Sequence, residues 1–149
     1  MESRSVSIAW KIIMVPNLAV LLFGVLLVLI PDALLSEGFQ LFVGQSWSAL
    51  LLASPKTAEY ISVFGRMFGS HMIAIAVLII AITLKSFRRG ESWSWHTFLI
   101  GNTLGWGSAI AFDLTMGEMS IVGIEIVMIL LVYIALGISA RDILGKKPT

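Results

Sequence analysis

Ile12–Ile30 reads IIMVPNLAVLLFGVLLVLI, an apolar run without a single charged residue. As a helix at ~1.5 Å per residue it reaches about 28 Å, close to the depth of a bilayer's hydrocarbon core. The run is longer than the apolar segment of a signal peptide, and no small-x-small cleavage pattern follows Pro31, so the expectation is a retained span. Working outward, three further stretches meet the same criterion: Ala58–Leu84, Trp93–Leu114 and Met119–Ala140. The one from Trp93 to Leu114 is the most polar. Composition agrees. Of the 149 residues 58% are apolar and 13% charged, where a soluble domain carries roughly 25% charged residues; mean hydropathy is +0.95. The expected fold is all-α, a single transmembrane domain over residues 1–149 arranged as a polytopic four-transmembrane-helix bundle in contact with the lipid bilayer.

Several functions are excluded at this stage. A net charge of +1 provides no broad basic surface for nucleic acid. The absence of cysteine removes disulfides, thiolate metal sites and cysteine nucleophiles. No lysine lies within a span, which excludes a retinal Schiff base, and there is no phosphate-cradling glycine loop or nucleophile elbow. His71 near the membrane centre and His96 at an interface differ in depth by about 20 Å, too far to share one metal or haem iron. No metal and no cofactor is therefore expected.

Basic residues set the expected orientation. Arg4, Lys11, Lys85, Arg88, Arg89, Arg141, Lys146 and Lys147 all fall on the side of the two termini, whereas Lys56 lies on the other and Arg66 inside a span. An even number of helices in a cytoplasmic membrane, with N- and C-termini cytoplasmic, satisfies that bias. Trp10, Trp93 and Trp95 sit at the matching boundary, where indole rings favour the interface. The segment from Pro31 to Thr57 is too long for a helical hairpin loop and too apolar to dangle in water. It predicts one or two short helices lying on the outer surface or capping the bundle mouth. Thr115–Glu118 with Gly117 is a tight turn that makes the last two spans antiparallel neighbours.

Between helices in lipid, small residues mark close contacts. Gly65 and Gly69 form such a pair, Gly101 and Gly105 another, and Gly69 and Gly105 lie at similar depth, so the second and third spans are expected to meet there. Pro16 frees backbone groups in the first span that Asn17 or a neighbouring helix would satisfy.

Charges inside spans are costly and mark candidate sites. Glu59 and Arg66 share a helical face with Ser62 and Ser70; Asn102 and Asp113 share another, with Trp106 beside them; Glu118 and Glu125 repeat the seven-residue spacing. Arg66 and Glu125 both lie roughly 10 Å below the outer surface, which makes Glu125 the expected partner of Arg66, with Asp113 and Glu59 nearer the rim. His71 sits about 140° around the helix from Arg66. The pair reads either as a pin that fixes helix register or as an outward-opening polar pocket. Arg66, Glu125, Asp113, Asn102, Trp106, Glu59 and His71 make up the candidate cluster.

The first span ending in Pro31, the connector, and then Gly65-Arg66-Met67-Phe68-Gly69 opening a small-residue-rich helix resemble the small four-helix membrane proteins of the DoxX-like group over about half the chain. The resemblance implies a compact four-helix bundle in a prokaryotic cytoplasmic membrane, with an accessory role beside redox enzymes. A more distant likeness is to the emopamil-binding sterol isomerase type, which also buries acidic residues; the acidic and histidine positions of its first helix have no counterpart here. The expected function is accessory, or the binding of a small lipid-like or quinone-like molecule, with a homo-oligomer or a larger membrane complex as partner. Two alternatives stay open. One is an intramembrane acid–base enzyme such as an isomerase, with Glu125 or Asp113 carrying the proton. The other is a proton-coupled transporter.

Overall fold

A computed structural model describes residues 3–145, which places Lys146 and Lys147 outside the described residues. Helix α1 runs over Arg4–Leu29, α2 over Pro31–Val43, α3 over Trp47–Ala53, α4 over Pro55–Lys85, α5 over Ser92–Met116 and α6 over Met119–Leu144; no strand occurs among the described residues. The helix boundaries follow local chemistry. Ser3 caps α1 by accepting from the Val6 amide, and Pro31 and Pro55 open α2 and α4, where a missing N–H costs nothing. Gly117, with φ at 82°, ends α5 in the left-handed conformation that residues with a Cβ resist. Inside α1, Asn17 Nδ2 donates to Ile13 O at 2.7 Å, one residue beyond the carbonyl that Pro16 deprives of its donor.

Three helices, α1, α4 with the short turn that follows it, and α6, are long and apolar enough to cross a membrane. Their outward faces support that reading. Leu22, Leu78 and Met119 are each 60% or more exposed, a pattern that suits hydrocarbon as solvent and not water. The expected connector helices are present as α2 and α3, whose Phe39 and Trp47 meet edge to face with ring centroids 5.5 Å apart.

The long helices pack in the order α4, α1, α6, α5, and no comparable contact joins α4 to α5 among the described residues. The expected meeting of Gly69 with Gly105 is therefore corrected. Gly69 faces α1 instead: a Cβ built on it would lie 2.7 Å from Gly24 O, and one on Gly24 would lie 2.9 Å from Gly69 O. The two backbones touch where neither has a side chain. Gly101 and Gly105 face open space.

The buried core gathers at the end of the molecule that holds the termini. Val6, Ala9 and Ile13 of α1 pack there with Phe87, with Phe98 of α5, and with Val132, Ala135, Leu136 and Ile143 of α6. Phe87 and Phe98 stack edge to face at 5.3 Å, Trp95 Nε1 donates to Leu136 O at 3.0 Å, and Ser5 donates to Asp142, closing the first turn of α1 onto the last of α6. Lys11 and Arg88 both lie over the Trp10 ring.

Candidate functional site

The short turn at Gly117 folds α6 back along α5, and a hydrogen bond between the Thr103 and Tyr133 hydroxyls at 2.8 Å fixes their register. Three acidic side chains therefore converge near the connector end of this hairpin. Asp113 is half-buried on α5, Glu118 is half-buried in the turn, and Glu125 is buried on α6 with 7% of its surface exposed. The carboxyl groups of Glu125 and Asp113 face each other across the hairpin. No N–H or hydroxyl of the protein reaches Glu125 Oε2.

A fourth acid comes from the connector. Helix α2 presents Gly38 to the hairpin, and the Glu118 carboxylate lies directly on it: a Cβ at Gly38 would be 1.7 Å from Glu118 Oε1. Burial, then the charges of Asp113 and of Glu37 on α2, push the Glu118 carboxyl above its ordinary value. The charged groups acting on Glu125 are Asp113 and Glu118, both acidic. An acid–acid contact needs a proton or an external positive group between its oxygens, because carboxylates only accept hydrogen bonds. The site has its acceptors in place and lacks a donor from the chain.

Several sequence-based assignments are corrected. Arg66 is exposed and forms no ion pair, so the expected bridge to Glu125 is absent among the described residues. The reason is lateral. Counting along the sequence gave Arg66 and Glu125 a common depth, but α1 stands between α4 and α6, and the buried face of α4 (Ala58, Ser62, Gly65, Gly69) turns toward α1 and α2. Glu59 leaves the cluster too: it pairs with Lys56 at 2.8 Å on the exposed rim. Ser62, expected on the Arg66 face, is buried and donates to Asp32 of α2. His71 is exposed and held by its own helix, Nδ1 to Met67 O at 2.7 Å.

Asn102 is buried, and its Nδ2 donates to Phe98 O at 3.0 Å. Trp106 is half-buried on the same helix. Among the described residues no three His, Asp or Glu side chains come together closely enough to hold a metal ion. Glu37 was not expected at the site, nor was Glu118 as a neighbour of α2. The tight turn at Gly117 was enough to bring Asp113, Glu118 and Glu125 to one end of a hairpin; the contribution of α2 carries no comparable signal in the sequence.

Beside the acid pair, α5 has an uncovered side. Ser94, Phe98, Gly101 and Gly105 follow one another at four- and three-residue steps and so share a stripe. Ser94 and Phe98 are buried on it, whereas a Cβ at Gly101 or Gly105 would meet nothing within 4 Å. The stripe is packed near the termini and bare farther out. No family model matches the chain, and no curated protein or solved structure is significantly similar to it.

Proposed function

We propose that the chain is a four-span integral membrane protein that binds a small amphipathic molecule, its polar head at Asp113 and Glu125 and its apolar body along the bare side of α5. In this reading α5 is the fourth span, α2 and α3 lie at the outer surface of a cytoplasmic membrane, and the termini are cytoplasmic, as the basic residues suggest. The resemblance to DoxX-like proteins supports an accessory role of the same kind.

The observation that carries the proposal is the buried Glu125 carboxyl, faced by a second acid and reached by no donor. Buried polar groups in proteins are satisfied almost without exception, and one left open marks a place where something else belongs. From Gly105 to the level of Glu125 is roughly 9 Å along the hairpin, which suits a molecule with a polar head and a short apolar body.

The test is organic extraction of the purified protein followed by mass spectrometry. The wild type should carry a bound amphipathic molecule in near-stoichiometric amount, and Glu125→Gln should fold with an unchanged melting temperature and lose it. A wild-type extract holding only bulk lipid would overturn the proposal, as would a Glu125→Gln protein that keeps the molecule. A second reading, intramembrane acid–base catalysis, draws on the same carboxyl contact, since two acids sharing a proton form a donor and an acceptor within one site. Chemical change of the extracted molecule on incubation with wild type, absent with Glu125→Gln, would select it.

A further inference from the structure

We infer that the head group received at Asp113 and Glu125 is a lipophilic ammonium, taken up in exchange for the proton that otherwise joins the two carboxyls. This rests on the binding reading above and specifies its ligand class. Every titratable side chain that the surrounding elements bring to the pair is acidic: Asp113 from α5, Glu118 from the turn, and Glu37 from α2 acting on Glu118. Helix α1 has no titratable residue between Lys11 and Asp32. On α4, Glu59 is engaged by Lys56, and Arg66 is exposed and forms no ion pair with the acids. An anionic head would meet only like charges here. A neutral head could pair with one oxygen and would leave the acid–acid contact as it stands.

An ammonium fits both requirements. Its three N–H donors can serve Glu125 Oε2 and Asp113 together, and its charge replaces the bridging proton. Charge balances: a carboxyl and a carboxylate with one proton carry −1, and two carboxylates with one ammonium also carry −1. One proton leaves for each ligand bound. Metal ions are disfavoured because among the described residues the acids do not approach closely enough for three of them to hold one. The bare Gly101–Gly105 side of α5 gives an alkyl chain a place to lie.

The full-length protein in neutral detergent micelles would be titrated calorimetrically with octylammonium chloride at pH 7, in two buffers of different ionisation enthalpy. Parallel titrations use octanol and sodium chloride. Octylammonium should bind with release of close to one proton, and both Glu125→Gln and Asp113→Asn should weaken it at least tenfold and abolish the release. Sodium releasing the proton equally well would overturn the ammonium assignment in favour of an inorganic ion. Octanol binding as tightly as octylammonium would overturn the charge assignment and leave the binding reading standing; if neither bound, both would fall. Should the variants fail to fold, the proton count of the wild type decides alone.

Discussion

Replacing Gly69 with alanine tests the helix order directly. The new Cβ would lie 2.7 Å from Gly24 O and 3.1 Å from both Leu27 Cβ and Val28 Cγ2. Nonbonded heavy atoms prefer about 3.5 Å, so α1 and α4 must part by roughly 0.5–1 Å. The nearest obstacle is a backbone carbonyl, which cannot swing aside as a side-chain tip can. Overpacking of this kind costs about 1–3 kcal/mol, and the better helix propensity of alanine returns ~1 kcal/mol of it. The expected net loss is about 0–2 kcal/mol. Gly105→Ala makes the opposite prediction: nothing lies within 4 Å of its Cβ, so only the propensity gain of about 0.5–1 kcal/mol remains. Equilibrium unfolding in mixed micelles of dodecylmaltoside and dodecyl sulfate, followed by tryptophan fluorescence, would measure both. Adding Gly24→Ala to Gly69→Ala should cost less than its single effect, because the helices have already separated. If Gly105→Ala destabilised as much as Gly69→Ala, α5 would be packed against a neighbour and the proposed order of helices would be wrong.

Phe98 is 2% exposed and stacks on Phe87, so Phe98→Ala should cost about 3–4 kcal/mol in the same assay; a loss below ~1 kcal/mol would show that the core at the termini is not where stability resides. A double-mutant cycle of Ser5→Ala and Asp142→Ala should give a coupling energy of about 1 kcal/mol, and additive effects would mean that the bond linking α1 to α6 is not formed. Burial and the neighbouring charges hold Glu118 above its ordinary 4.5, so the folded chain binds that proton more tightly than the unfolded one. The stability contributed is complete below pH 4.5 and is lost as pH rises through the elevated folded value. Glu118→Gln should flatten that limb of the stability–pH curve, and an unchanged curve would refute the environment described for Glu118.

The long helices were legible because each is a long apolar run bounded by charge or glycine: expected starts at Ile12, Ala58, Trp93 and Met119 became helices from Arg4, Pro55, Ser92 and Met119, three of which are long and apolar enough to cross a membrane. The connector helices were legible for the same reason, with Pro31 and Gly44 as punctuation. Arg66 shows what was not legible. Counting residues from a helix end gives height in the membrane, and height alone matched Arg66 to Glu125 and Gly69 to Gly105. Which helix stands beside which is a rotational question, answered here by the close approach of Gly24 and Gly69, which commits α4 to α1. Asp113 and Glu125 came together as neighbours because their helices are joined by a turn too short to allow any other arrangement. Their shared contact replaces the cation that the depth argument had supplied.

The crowding of large side chains around Phe87 and Phe98 has a mechanical consequence. From Phe98 to Met116, α5 extends about 27 Å, wedged among aromatic rings at one end and tied to α6 through Gly117 at the other. A tilt of ~5° about the wedged end carries the Met116 end sideways by roughly 2 Å, a substantial fraction of an alkyl chain's width. Because the turn carries the start of α6 with it, Asp113 and Glu125 would swing as one unit away from α2, and the sealed end would keep water and protons from leaking through meanwhile.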